Sequence, residues 1–239
     1  MVIYKMVIYN IVFVIILLLL IFVLYINKET FGNINDKNIN DKNINDKNIN
    51  DKKIIIIGNA PFDKGNDKGK LIDSFEKVVR FNSFKLDNFT KYLGTKTSEW
   101  VVSDTHCLLL KKMFIKQCKQ MPNVKINIIL PLVFKSNKQK LNQQIPQNIL
   151  DRSNILIQDQ DIIVDKKYNF GRRWPSTGIL TIYYYLNLYE KIYITGFNHF
   201  DPKEKTIHYY ENRKQIGHQH LLEKQIVDDL VKEGRIIRI

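Results

Sequence analysis

Seven short apolar runs recur from Lys53 onward without a strict polar alternation: Lys53 to Ile57, Lys77 to Phe81, Trp100 to Val102, Lys125 to Leu130, Ile155 to Ile157, Lys191 to Thr195 and Arg235 to Ile239. A strand with one wet face alternates with a period of two, so runs that do not alternate suit strands covered on both faces. Helical stretches separate several of them, notably Asp104 to Gln120, Pro175 to Tyr189 and Gly217 to Glu233. Strands joined through helices fit right-handed crossovers, and the expected fold is an α/β, Rossmann-like sandwich around a mainly parallel sheet. Such sheets bind ligands beyond the carboxyl ends of their strands, which directs attention to the loops that follow them.

Residues 53–239 make up this folded part, within the usual size of one domain. Upstream the sequence changes character. Every residue from Ile11 to Ile26 is apolar or aromatic, and Val7 to Tyr9 extend the run with Asn10 alone interrupting. A helix from Val7 to Ile26 would cover about 30 Å at about 1.5 Å per residue, the depth of a bilayer's hydrocarbon core. Residues 7–27 are therefore predicted to be a transmembrane signal-anchor after a short cytosolic N-terminus, 1–6. A cleaved signal peptide is the alternative, but Leu24, Tyr25, Ile26 and Asn27 offer no small-residue cleavage site. Lys5 before the span favours a type II orientation with the long C-terminal part lumenal.

Between these parts the pentapeptide Asn-Ile-Asn-Asp-Lys occurs four times, beginning at Asn33, Asn38, Asn43 and Asn48. One apolar residue per unit cannot offset the entropy of ordering, so residues 28–52 are expected to be a solvated, disordered stem. The repeat holds Asp and Lys equally, so the chain's net charge of +13 is carried elsewhere. That surplus favours an anionic partner, although no basic helix or aromatic-rich RNA motif points to nucleic acid. Two cysteines, Cys107 and Cys118, exclude a disulfide scaffold. On one helix over His106 to Gln120 they would stand roughly 16 Å apart, too far to bond.

Candidate chemistry clusters where the strands end. The first strand runs into Gly58-Asn59-Ala60-Pro61, and the second ends in Val79-Arg80-Phe81-Asn82. Gly58 lets the chain turn close to a ligand, and two carboxamides on one sheet edge make a plausible anion cradle. Pro175-Ser176-Thr177-Gly178 opens an apolar helix whose unpaired N–H groups and dipole suit a negative group, though Ser and Thr also serve as ordinary caps. Tyr183, Tyr184 and Tyr185 behind it read as core. His106 stands alone, while His199, His208, His218 and His220 crowd one C-terminal span. An imidazole there can take a proton from a hydroxyl or stabilise a departing phosphate. Zinc is disfavoured, because His218 and His220 sit two apart and no His-Glu-x-x-His occurs. Asp159-Gln160-Asp161 resembles a metal-holding Asp-x-Asp element but reads as easily as a solvated turn. Asn88-Phe89-Thr90 fits the glycosylation sequon. Lys135 to Gln147 and Asp201 to Lys205 carry no pattern beyond that of loops.

In order along the chain, these segments resemble the four sialylmotifs of glycosyltransferase family 29, the eukaryotic-type sialyltransferases. Ile55 to Asn59, Ile72-Asp73-Ser74, Val79 to Asn82 and Gly94-Thr95-Lys96-Thr97 look like the long motif. Pro175 to Gly178 through Tyr193-Ile194-Thr195-Gly196-Phe197 looks like the short one. His208-Tyr209-Tyr210-Glu211 is similar to the third motif, and His218 with Glu223 fits the very short motif's His-x4-Glu. The long-motif region also has a likeness to the bacterial family 42 sialyltransferases. The vertebrate members join long and short motifs by a disulfide, for which this chain has no cysteine before Gly58 or after Pro175.

The resemblance implies a variant GT-A-type nucleotide-binding fold and a membrane-anchored, Golgi-type enzyme. Its reaction would transfer sialic acid from CMP-sialic acid to a glycan hydroxyl, with inversion and without metal or other cofactor. His218 would be the general base, with His220 a second candidate, and His208 would steady the leaving phosphate. Asn59 and Asn82 would hold phosphate and ribose, and Ser176, Thr177 and Gly178 phosphate or the sugar carboxylate. Gly196 and Phe197 would border the cytidine. Two other readings remain open: transfer of another CMP-activated acid sugar, and a non-catalytic stalked carbohydrate-binding protein.

Overall fold

The computed structural model describes residues 53–61, 67–131, 134–158, 167–171, 173–198, 208–210 and 219–239. The expected anchor over 7–27 and stem over 28–52 lie outside them, and among the described residues no helix is long and apolar enough to cross a membrane. The elements are β1 (Ile54–Ile57), α1 (Gly69–Asp73), β2 (Lys77–Phe81), α2 (Thr90–Leu93), β3 (Glu99–Ser103), α3 (Asp104–Leu109), α4 (Lys111–Gln120), β4 (Lys125–Pro131), α5 (Asn137–Gln144), α6 (Gln147–Leu150), β5 (Ser153–Gln158), α7 (Thr177–Leu186), β6 (Ile192–Thr195), α8 (His220–Lys232) and β7 (Ile236–Arg238).

All seven strands join one sheet in the order β5-β4-β3-β2-β1-β6-β7, every neighbouring pair parallel. Both faces are covered, which is why the strands do not alternate. Ile54 and Ile56 pack with Ile179, Ile182 and Tyr185 of α7 and Ile226, Val227 and Leu230 of α8. Ile55 and Ile57 point the other way, onto Ile72 of α1, Phe75 and Leu93 of α2. Further along that second face, Trp100, Val102, Ile126 and Ile128 meet Cys107, Phe114, Cys118 and Leu141. Burying each such branched side chain contributes about 1.5–3 kcal/mol, so sheet and helices hold each other in place.

Two expectations change. The single helix predicted over Asp104 to Gln120 breaks at Leu110, whose φ of −107 and ψ of 31 end α3 before α4 begins. The break keeps His106, Cys107, Phe114 and Cys118 inside while Leu109 and Leu110 turn to solvent. Lys135 to Gln147, expected as loop, contains α5, which docks through the single buried Leu141. Both cysteines are free and buried, as the absence of a scaffold required.

At the amino edge of the sheet a buried polar knot joins three strands to α7. Glu99 Oε2 accepts hydrogen bonds from Tyr185 at 2.6 Å and Asn127 at 2.7 Å, and Glu99 Oε1 lies 2.6 Å from Lys77 Nζ. Burial alone would raise the Glu99 carboxyl, but these partners outweigh it and hold the group below 4.5.

Candidate active site

The strand order reverses between β1 and β6, the place in such a sheet where ligands are expected beyond the carboxyl edge. Gly58 and Gly196 meet there, backbone to backbone. Gly58 N donates to Thr195 O at 2.7 Å and Ala60 N to Gly196 O at 3.0 Å. A Cβ on Gly58 would lie 2.0 Å from Gly196 O, and Gly196 has a φ of +73 that favours glycine.

The two predicted carboxamides stand beside this seam, and both also stitch strand ends together. Asn59, 6% exposed, donates through Nδ2 to Phe81 O and Ser83 O, each at 3.0 Å, which leaves Oδ1 for a ligand. Asn82 adopts a φ of 47, a left-handed conformation that asparagine tolerates. Its Oδ1 accepts from Ser103 N at 3.1 Å and its carbonyl accepts from Trp100 Nε1 at 2.8 Å, which leaves its Nδ2.

Beside them opens a cavity of about 470 Å³, lined by Asn59, Phe81, Asn82, Ser83, Lys85, His106, Leu110, Met113, His208 and Tyr210. His208 is held there by the two tyrosines that follow it. Tyr209 N donates to Asn59 O at 3.1 Å, and its hydroxyl both donates to Lys85 O at 2.7 Å and accepts from Lys85 N at 2.9 Å. Tyr210 donates to Ser83 O at 2.8 Å, and the His208 ring stacks on it at 5.1 Å between centroids. The structure thus brings Asn59, Asn82 and His208 into one cavity.

The α7 tip completes the edge in an unexpected way. Ser176 caps the helix, its Oγ accepting from Ile179 N at 3.3 Å. Glu223 of α8, 2% exposed, accepts from Ser176 N at 2.8 Å and from Ser176 Oγ at 2.7 Å. The chain's own carboxylate therefore takes the place at the positive helix tip where a ligand anion was expected, and Ser176 is engaged within the protein. Thr177 starts the helix, its carbonyl accepting from Thr181 Oγ1 at 2.6 Å. Gly178 is buried, with its Cβ position 3.1 Å from Phe197 and 3.3 Å from Phe81. Phe81 and Phe197 lie 5.7 Å apart, so Gly178, Gly196 and Phe197 pack behind Phe81 and do not themselves line the cavity.

His220 opens α8, one turn before Glu223. His218, His199, Asp159 and Asp161 lie outside the described residues. Asn88 sits exposed on a turn with a φ of 69. Among the described residues no group of three His, Cys, Asp or Glu side chains is placed to hold a metal. Sequence reasoning passed over His106: a single histidine on a helix carries no pattern, and only the fold turns α3 toward the cavity.

A doubly wound parallel sheet with a carboxamide-lined cavity at the carboxyl ends of β1 and β2 defines an α/β protein of the Rossmann-like class. Residues 19–235 match the model of glycosyltransferase family 29 (sialyltransferase), and the chain belongs to that family. It is 22% identical over 213 residues to lactosylceramide alpha-2,3-sialyltransferase of Rattus norvegicus, covering 76% of this chain and 55% of the relative. It is 25% identical over 176 residues to CMP-N-acetylneuraminate-beta-galactosamide-alpha-2,3-sialyltransferase 1 of Sus scrofa, covering 68% of this chain and 48% of the relative. The chain thus spans about half the length of these curated relatives. The same fold occurs in a mammalian sialyltransferase in complex with Gal-beta-1-3GalNAc-ortho-nitrophenol, with a TM-score of 0.55 at 20% identity, over 82% of this chain and 74% of that one. It also occurs in the monofunctional alpha-2,3-sialyltransferase Cst-I of Campylobacter jejuni, with a TM-score of 0.53 at 18% identity, over 84% of this chain and 79% of that one.

Proposed function

We propose that the protein is a sialyltransferase that moves sialic acid from CMP-sialic acid to a glycan hydroxyl, with inversion and without metal. The observation that carries this is the convergence of Asn59, Asn82 and His208 on one cavity beside the Gly58–Gly196 seam, in a chain of this family. The nucleotide lies in that cavity, with Gly196 and Phe197 packed behind its Phe81 wall. Asn59 Oδ1 accepts from ribose, and Asn82 Nδ2 donates toward phosphate. Thr177 and Gly178 stand nearest the phosphate or carboxylate, while Ser176 acts indirectly through its tie to Glu223.

His218 takes the proton from the acceptor hydroxyl as that oxygen attacks the anomeric carbon, with His220 the alternative base. The bond from anomeric carbon to phosphate oxygen breaks on the opposite face, and CMP departs with the bonding pair. His208 donates a hydrogen bond to the phosphate as its charge grows. Residues 7–27 anchor the enzyme as a type II membrane protein, 28–52 form its stem, and 53–239 form a lumenal, Golgi-type catalytic domain.

The test is CMP release from CMP-sialic acid by the full chain in detergent, with a panel of glycan acceptors and with or without chelator. Acceptor-dependent release that survives chelation supports the reading, and loss on chelation would return Asp159 and Asp161 as metal ligands. His218→Ala should lower kcat by about 10²–10⁴-fold with CMP affinity kept. Unchanged turnover in that variant, with His220→Ala inactive, would move the base to His220.

A further inference from the structure

In the sheet order, β3 lies two strands from β1, about 10 Å away at the usual strand spacing. The cavity bridges that interval, with Asn59 at the end of β1, Asn82 after β2, and His106 on α3 just past β3. On the nucleotide-sugar reading above, with ribose at Asn59 after β1 and phosphate at Asn82 after β2, the sugar beyond the phosphate falls toward the β3 end.

His106 is the polar side chain waiting there. It is 7% exposed, and its Nε2 is buried with no hydrogen-bond partner among the described residues. The ring is well placed: Ser103 Oγ accepts from His106 N at 3.1 Å, and the imidazole stands edge-on to Trp100 at 6.3 Å. Burial pulls it down to about 4, so it is neutral at physiological pH and carries one donor and one acceptor nitrogen. Leu110 and Met113 beside it in the cavity wall are apolar. A neutral ring suits a sugar hydroxyl, whereas a phosphate calls for a cation, which in this cavity is Lys85, after β2.

We propose that His106 is a specificity-determining residue whose Nε2 hydrogen-bonds a hydroxyl of the transferred sugar. A buried nitrogen without a partner is costly, so a donor that supplies the missing bond is favoured over one that leaves it unmade. The inference rests on the sialyltransferase reading but makes a separate claim: His106 reads the sugar and leaves the nucleotide alone.

The experiment is calorimetric titration of the full chain in detergent with CMP and with CMP-sialic acid, in the absence of acceptor. His106→Phe keeps a ring against Trp100 and removes both nitrogens, whereas His106→Gln places an amide near the position of Nε2. His106→Phe should weaken CMP-sialic acid about tenfold, one hydrogen bond's contribution, and CMP by less than about twofold. His106→Gln should recover most of the loss. Equal weakening of both ligands, or no change in either, overturns the role of His106 and leaves the enzyme reading intact. A wild-type protein that binds neither ligand overturns the enzyme reading itself, and this inference with it.

Discussion

Asn59 and Asn82 each do two jobs with one carboxamide. Asn59 spends its Nδ2 protons on two carbonyls of the neighbouring strand's loop, and Asn82 spends its Oδ1 on Ser103 N. Substitution by Ala therefore loses structural bonds as well as a ligand contact, so affinity should be compared with stability in the same variant. The sequence marked both residues by their position after a strand, but could not show which atom faces inward. Glu223 illustrates the limit more sharply. Forty-seven residues separate it from Ser176, and no local spacing predicts that contact. Glu223→Gln puts an NH₂ against one of two donors and removes the charge at the helix tip, so unfolding in urea should show a loss of about 1–3 kcal/mol. Combined with Ser176→Ala, the losses should fall short of additive by a measurable coupling. Additive losses would mean that the two side chains act independently.

At the scale of elements, the amino and carboxyl edges of the sheet have separate duties. The knot of Lys77, Glu99, Asn127 and Tyr185 ties β2, β3 and β4 to α7, away from the strand ends that form the cavity. The folded-state value of Glu99 lies below its ordinary 4.5. Its contribution to stability is therefore complete above about pH 4.5 and is lost as pH falls through the lower, folded value. Asp73 and Asp228 are also held below their usual 3.8 and add to the same acid slope. Glu99→Gln should cost about 1–3 kcal/mol at pH 7 and flatten, without abolishing, the decline of stability in acid. An unchanged acid slope would exclude Glu99 as a contributor. The strands were legible because each is an apolar run; the break at Leu110 was not, because Cys107, Phe114 and Cys118 also fit one face of a continuous helix. Helix α5 was illegible for the opposite reason, since one buried leucine gives no period.

For the molecule as a whole, stability comes from a two-sided core without covalent staples. Cys107 and Cys118 are both buried as thiols, and burial raises Cys118 to about 11 and holds Cys107 well above the usual thiol value. The melting temperature should accordingly be the same with and without dithiothreitol, and a fall on reduction would reveal a disulfide between chains. On the proposed function, CMP would bind the folded state alone and should raise the melting temperature, by an amount that grows with the logarithm of its concentration. The seam of Gly58 and Gly196 should be intolerant of any side chain. Gly58→Ala forces a methyl onto Gly196 O and should abolish that CMP-dependent rise, whereas Gly171→Ala, with nothing within 4 Å but a φ of +56, should lower the melting temperature of the free protein through local strain and keep the rise.

That seam also bears on how the protein can be changed. Where Gly58 touches Gly196, the contact is main chain against main chain, and main chain reads the same whatever the codon. A change in what the adjoining cavity accepts must therefore work through its side-chain wall, at positions such as Phe81, Leu110 and Met113, while the main-chain seam stays a fixed platform on which alternatives are tried.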